Sequence, residues 1–226
     1  YYVETFGAGA AFFDYNGDGF FDLYLVNGAG LGPNISADTP RNHLYRNQGN
    51  ARFSNDTEAT KTGDRGYGMG VAAADYDSDG DQDLYITNWG ANALYRNDGA
   101  TFAKMAQELG VDDSRWGTSS AFLDYDLDGD LDLFVANYVD FNPAQNPICQ
   151  RGALRTYCQP DAYAGVGDIL YRNDGDHFTD ATITAGVSLV GRSLGVALAD
   201  YDLDGDTDIY VANDGTMNFL YRNERG

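Results

Sequence analysis

The apolar residues of this chain recur in short runs and not in long stripes. Leu84 to Asn88, Leu133 to Asn137 and Ile209 to Asn213 alternate as half-buried strands do, each after a Gly- and Ala-rich run such as Val71 to Ala74. Downstream come an L-Y-R-N segment (Leu44 to Asn47, Leu94 to Asn97, Leu170 to Asn173, Leu220 to Asn223) and a Phe-centred run (Thr101 to Lys104, His177 to Asp180). Asn97-Asp98-Gly99 and Asn173-Asp174-Gly175 join the last two with hairpin turn chemistry. Helical apolar spacing is confined to Ala103 to Leu109. The pattern predicts an all-β chain with four short antiparallel strands per unit.

These units repeat. A nine-residue segment, D-x-[D/N]-x-D-G-x-x-D, occurs at Asp14 to Asp22, Asp75 to Asp83, Asp124 to Asp132 and Asp200 to Asp208. From each L-Y-R-N to the next such segment the distance is 31, 30 and 30 residues, while from segment to L-Y-R-N it is 30, 19, 46 and 20. The basic unit is therefore 49 to 50 residues long, with insertions in units one and three. All five prolines (Pro33, Pro40, Pro143, Pro147, Pro160) fall inside those insertions, away from any strand ladder. Counting back eight residues from each segment gives Phe6, Tyr67, Trp116 and Arg192. The chain thus reads as a single repeat domain, 1–226, with repeats at about 6–66, 67–115, 116–191 (insertion 138–168) and an incomplete 192–226. Four antiparallel strands per ~50 residues predict the blades of a β-propeller-type array.

Charge narrows the choice of partners. With 35 acidic against 14 basic side chains, a net charge of −21, the chain lacks the Lys and Arg clusters that a phosphate backbone requires, so nucleic acid is excluded. The longest apolar stretches, such as Ala8 to Phe13, are far below the ~20 residues of a spanning helix, so membrane insertion is not expected. No leader of signal-peptide type opens the sequence; a start at Tyr1 is expected of a trimmed or mature form and leaves the compartment open.

The acids concentrate in the nine-residue loops. Carboxylates at positions 1, 3, 5 and 9 around a Gly at position 6, with a backbone carbonyl at position 7, make a set of hard oxygen donors of the kind Ca2+ takes. The candidate ligands are Asp14, Asn16, Asp18 and Asp22; Asp75, Asp77, Asp79 and Asp83; Asp124, Asp126, Asp128 and Asp132; and Asp200, Asp202, Asp204 and Asp208. The carbonyls of Phe20, Asp81, Asp130 and Asp206 complete them. Position 12, where an EF-hand places its bidentate Glu, is Leu25, Ile86, Val135 or Val211, so these are not EF-hands. Two carboxylates ~4 Å apart repel by roughly 4 kcal/mol at an effective dielectric of ~20, which disfavours four such loops as bare solvated turns. Four Ca2+ would bring the net charge from −21 to −13, and the first site, with Asn16 for Asp, is expected to be the weakest.

The segment "GMGVAAADYDSDGDQDLYITN" and its three counterparts resemble FG-GAP/VCBS-type repeats, the calcium-loop blades of integrin α-subunit propellers. With "LYRNDG" and the opening "YYVETFGAGAAFFDYNGDG", nearly the whole chain resembles the cartilage acidic protein family and its bacterial relatives. The resemblance implies a β-propeller, secreted, cell-surface or periplasmic, with about four Ca2+, one at each of these loops. Members often have about seven blades, so four repeats imply part of a larger propeller or an open edge completed by a neighbouring chain, the latter making a filament subunit. In that extracellular setting Cys149 and Cys158 are expected to pair, with a free thiol pair as the alternative.

Other residues admit two readings. Tyr138, Phe141, Arg151, Arg155, Tyr157 and Tyr163 in the third insertion form either a contact surface for protein or glycan or packing onto their own blade. Asn34 and Asn55 fit the N-glycosylation pattern, one that arises often by chance. Arg46, Arg96, Arg172 and Arg222 are expected to offset the acidic loops, and His43 and His177 to be packing or surface residues. No catalytic residue is assigned, because no Ser/His/Asp set, G-x-S-x-G or H-E-x-x-H occurs. Carboxylates outside the loops (Glu4, Glu58, Glu108, Asp112, Asp113, Asp161, Asp168) leave an enzyme acting on extracellular polysaccharide as an alternative. A lectin is another, with Phe6, Tyr67 and Trp116 nearest to a repeated sugar platform. The leading reading is a non-catalytic calcium-binding module with a structural, adhesive or scaffolding role.

Overall fold

The structure, a computed structural model, describes residues 1–30, 40–99 and 101–224. Pro33 and the sequon at Asn34 lie outside the described residues. The first blade consists of β1 (Ala10–Phe13), β2 (Asp22–Leu25), β3 (His43–Asn47) and β4 (Phe53–Asn55) in sequential antiparallel order. The second repeats it with β5 (Tyr67–Ala74), β6 (Asp83–Trp89), β7 (Ala93–Asn97) and β8 (Phe102–Lys104). The third opens with β9 (Gly117–Leu123) and β10 (Asp132–Asn137). Its insertion then adds a hairpin of β11 (Cys149–Arg151) and β12 (Leu154–Thr156), and a short β13 (Val166–Gly167). The blade resumes with β14 (Ile169–Asn173) and β15 (Phe178–Asp180), and β16 (Val190–Gly191) pairs with β13. A last sheet has three strands, β17 (Ser193–Ala199), β18 (Asp208–Asn213) and β19 (Phe219–Tyr221). The molecule is therefore an all-β, propeller-type array whose final blade lacks its outer strand among the described residues.

The sequence explains where each strand stops. The acidic loop connects the first two strands of each blade, and its position 9 Asp is the first residue of the second strand. In the two middle blades both faces of that second strand meet neighbouring blades in the interior, so β6 and β10 are buried almost throughout and read as continuous apolar runs, whereas β2 and β18 each keep exposed residues. At the other end, the Asn of L-Y-R-N closes the third strand and turns it, its Oδ1 accepting from Gly49, Gly99 or Gly175 N–H at 3.0, 3.1 and 3.0 Å. The helical spacing over Ala103 to Leu109 condenses into a single turn, α2 (Ala106–Leu109), because β8 claims Phe102–Lys104. A matching turn after β4, Thr57–Thr60, carries no such apolar spacing.

Apolar cores form between blades. Between the first two, Phe13, Tyr15, Tyr24, Val26 and Leu44 meet Leu84, Ile86, Ala93, Tyr95 and Phe102. Between the second and third, Tyr76, Tyr85 and Leu94 meet Leu133, Val135, Ile169, Tyr171 and Phe178. Between the third and fourth, Leu123, Phe134 and Leu170 meet Ile209 and Val211. At ~1.5–3 kcal/mol per fully buried large side chain, these interfaces hold the array together. A further aromatic cluster ties the opening segment, with a 3-10 turn over Tyr2–Thr5, to the third insertion through Tyr2, Trp116, Tyr138, Phe141 and Tyr163. The disulfide Cys149–Cys158 closes that insertion.

Candidate metal centres

Each acidic loop is built by its own hydrogen bonds in the same way. The carboxylate at position 1 accepts from the N–H groups at positions 5 and 6: Asp75 from Asp79 and Gly80 at 3.1 and 3.0 Å, Asp124 from Asp128 and Gly129 at 3.1 and 3.1 Å. Asp14 and Asp200 do likewise. Position 6 has φ of 84° to 99° (Gly19, Gly80, Gly129, Gly205), a left-handed conformation glycine adopts without a Cβ penalty. Position 4 is also left-handed and carries Gly17, Ser78, Leu127 and Leu203.

The carboxylate at position 9 is buried in all four loops, as Asp22, Asp83, Asp132 and Asp208. One oxygen accepts from the N–H of the Tyr at position 2, at 2.9 to 3.1 Å, and the other from the N–H of the L-Y-R-N asparagine, at 2.7 to 2.8 Å. Burial pushes Asp83 and Asp132 up to about 7, against which those backbone donors act, and raises Asp22, Asp77, Asp126 and Asp202 as well. Neighbouring loop carboxylates raise these groups further, as a second and smaller cause. Oxygens of Asp75, Asp77 and Asp83 lie within 4.8 Å of one another, as do those of Asp124, Asp126 and Asp132, and of Asp200, Asp202 and Asp208. Asp126 Oδ1 and Asp206 Oδ2 are buried with no hydrogen-bond partner, as is Asn16 Nδ2 in the first loop, where a half-turn of the amide would present its oxygen instead. An all-oxygen donor set with orphaned buried oxygen fits a hard divalent cation, and Ca2+ among those by its tolerance of mixed carboxylate and carbonyl ligands.

The structure does not gather every sequence candidate alike. Asp79, Asp128 and Asp204 at position 5 fall outside the close groups and instead accept from the N–H at position 7, at 2.9, 2.9 and 3.1 Å, while Asp18 at position 5 of the first loop bonds Phe20 N at 3.0 Å. The repeated arginines divide: Arg46 and Arg222 pair with loop Asp18 and Asp202 at 3.3 and 3.5 Å, whereas Arg96 and Arg172 pair with turn residues Asp98 and Asp174. In the third insertion Tyr138, Phe141 and Tyr163 pack inward, while Arg151, Arg155 and Tyr157 are exposed. Phe6, Tyr67 and Trp116 belong to the aromatic cluster and so form no repeated sugar platform, and Arg192 at the fourth position donates to the Tyr163 carbonyl. His43 lies beside Asn55 and Thr57, and His177 is an exposed partner of Asp176. Of the carboxylates outside the loops, Glu58 pairs with Arg41, Asp113 with Arg115, and Asp168 is buried.

Three sets of residues escape a reading based on acids. The asparagine of L-Y-R-N reaches the preceding blade: Asn97 Nδ2 donates to the Tyr15 carbonyl at 2.7 Å, Asn173 to Tyr76 at 2.9 Å and Asn223 to Tyr125 at 2.7 Å. At the opposite end of each blade a second pair recurs, with Asn27, Asn88, Asn137 and Asn213 N–H donating to Asn42, Asn92, Asp168 and Asn218 Oδ1 at 2.7 to 2.8 Å. Asp64 and Asp113, each eleven residues before a loop, accept from Asn88 and Asn137 Nδ2. Their fixed spacing is visible in the repeat; their role is not, because Asn and Asp at strand ends read as ordinary turn residues.

The fold and its loops define the class: an all-β array of blades, each with an acidic loop between its first two strands. The chain belongs to the FG-GAP-like repeat family, which matches residues 14–86 and 75–135, together more than half of the 226 residues. No curated protein sequence matches the chain. Among solved structures, an Agrocybe aegerita lectin, described for specific recognition of non-reducing terminal N-acetylglucosamine, is similar at a TM-score of 0.43 and 14% identity. That similarity covers 95% of this chain and 52% of the lectin, so the chain spans about half the length of that structure.

Proposed function

We propose that the chain is a non-catalytic, calcium-binding blade module of an extracellular protein, in which one Ca2+ per loop fixes the blade and rigidifies a surface for adhesion or scaffolding. The observation that carries this reading is the recurrence of the same nine-residue acidic loop four times, always around a buried position 9 Asp, with three carboxylates drawn together in the second, third and fourth loops. Ligands would be the side chains at positions 1, 3, 5 and 9 and the carbonyls of Phe20, Asp81, Asp130 and Asp206. A bound cation would neutralise carboxylates that otherwise repel, and would cross-link the first and second strands with the Asn that ends the third. A loop built alike in every blade supports a structural role for the bound cation. The disulfide favours an oxidising compartment, and no helix is long and apolar enough to cross a membrane among the described residues.

Calorimetric titration of the chelator-treated chain with CaCl2 tests the reading. Four equivalents are expected, the weakest assigned to the first loop, and Asn16→Asp should tighten that one site while leaving the other three unchanged. Absence of binding at millimolar Ca2+ would refute it.

A further inference from the structure

The sequence has two Asn-Gly steps, Asn16-Gly17 inside the first acidic loop and Asn27-Gly28 after β2. An Asn followed by Gly is open to attack by its own chain: the backbone nitrogen of the next residue reaches the side-chain carbonyl carbon, and no Cβ shields the approach. The structure sets the two steps apart. Gly17 is exposed at φ 67°, open space lies where its Cβ would be, and its N–H has no hydrogen-bond acceptor among the described residues. At the second step a Cβ on Gly28 would lie 3.3 Å from the Tyr67 ring. There Asn27 N–H donates to Asn42 Oδ1 at 2.7 Å, and the Asn27 carbonyl accepts from Gly68 N–H at 3.2 Å. Neighbours hold the second peptide, and none among the described residues holds the first.

The side chain of Asn16 is poised for that attack. Its Oδ1 accepts from Asp18 N–H at 3.1 Å, which polarises the carbonyl, while Nδ2, the leaving group, is buried without a hydrogen-bond partner. The other three loops place Asp77, Asp126 and Asp202 at this position, followed by Ser78, Leu127 and Leu203 in the same left-handed conformation as Gly17. Each of those three aspartates brings an oxygen into its close carboxylate group, and Asp126 Oδ1 is orphaned in the third loop as Asn16 Nδ2 is in the first. Asn16 Nδ2 therefore stands where the other loops bring a carboxylate oxygen. A half-turn of the amide presents oxygen there only by giving up the bond from Asp18 N–H.

We infer that Asn16 is a site of spontaneous deamidation, and that the aspartate formed there completes the ligand set of the first loop. The Gly17 nitrogen bonds to Asn16 Cγ, the Cγ–Nδ2 bond breaks, and ammonia leaves with the Gly17 amide proton, closing a five-membered succinimide. Water then opens the ring. Addition at Cγ breaks its bond to the Gly17 nitrogen and gives aspartate. Addition at the main-chain carbonyl carbon breaks that carbon's bond to nitrogen and gives isoaspartate, whose longer main chain throws the loop out of register. The net change is one water taken up and one ammonia released, with no redox step. Aspartate gives Asp14 to Asp22 the same pattern of acids as the other three loops and takes the net charge from −21 to −22. The gain in affinity rests on the calcium reading above; the deamidation itself does not.

Prolonged incubation of the whole chain at mildly alkaline pH without metal, followed by mass spectrometry with fragmentation that resolves Asn16 from Asn27, tests the site. Asn16 should gain about 1 Da, about tenfold faster than Asn27, with an equivalent of ammonia released. Gly17→Leu gives position 4 the residue of the third and fourth loops; it should keep the circular dichroism of the parent and slow the gain about tenfold. An Asn16 that converts no faster than Asn27, or a Gly17→Leu chain that converts as fast as the parent, would overturn the site. In calorimetry the incubated chain, freed of isoaspartate by chromatography, should bind Ca2+ more tightly at its weakest site than the fresh chain, as expected of Asn16→Asp. Unchanged affinity there, with the other loops still binding, would overturn the completed ligand set. A chain that takes up no Ca2+ at any loop refutes the calcium reading, and the completed ligand set with it, whereas the mass gain at Asn16 is judged on its own.

Discussion

Asp168 stands where the other three blades carry Asn42, Asn92 and Asn218, and the difference is one charge in a buried position. Its Oδ1 accepts from Asn137 N–H at 2.8 Å and its Oδ2 from Ser193 Oγ at 2.9 Å; burial nonetheless raises it to about 6, with Arg115 nearby acting in the opposite direction. A carboxyl raised in the folded state from 3.8 favours folding while protonated, and that contribution is lost as pH rises through about 6. Asp168→Asn should therefore stabilise the protein at pH 7.5 by on the order of 2 kcal/mol and leave it unchanged near pH 4, as read by urea denaturation at both values. The sequence makes this position legible only once the Asn-x-Leu-Tyr-Arg-Asn spacing is aligned across blades. The loop acids were plain at first sight because four Asp at fixed spacing is a rare pattern, whereas a single Asp for Asn before a strand is a common one.

At the scale of the element, the L-Y-R-N asparagine does three jobs at one strand end. Asn173 donates its backbone N–H to Asp132, accepts from Gly175 N–H, and donates Nδ2 to the carbonyls of Tyr76 and Leu131. Asn173→Ala strands buried carbonyls on two blades and should cost about 2–4 kcal/mol, while Asn47→Ala, whose Nδ2 bonds Phe21 alone among the described residues, should cost about 1 kcal/mol. Chemical denaturation of the two variants checks the difference. Strand existence was readable from apolar alternation and hairpin turns, and the second-strand residues Leu84 to Asn88 lie inside β6. What alternation alone did not reveal is that both faces of β6 and β10 are interior, since Leu-Tyr-Ile reads equally as one buried face. The long third insertion was also opaque: its aromatics divide between core and surface according to contacts with Tyr2 and Trp116, which are distant in sequence.

For the whole molecule, the loops decide how stability responds to metal and pH together. Asp83 and Asp132, raised to about 7 by burial, favour the folded state while protonated, so without metal the chain should lose stability as pH rises through 7. A bound cation requires the ionised form, so Ca2+ affinity should rise over the same range. The stabilisation by Ca2+ should accordingly be larger at pH 8 than at pH 5. The most direct test of the central claim, that the four acidic loops are calcium sites holding the blades, is thermal unfolding at pH 7.5 in ~2 mM Ca2+ and in excess chelator. Occupation of four sites well above their dissociation constants adds several kcal/mol, and the midpoint should fall by at least about 10 °C on chelation. An identical midpoint in both conditions would contradict the account.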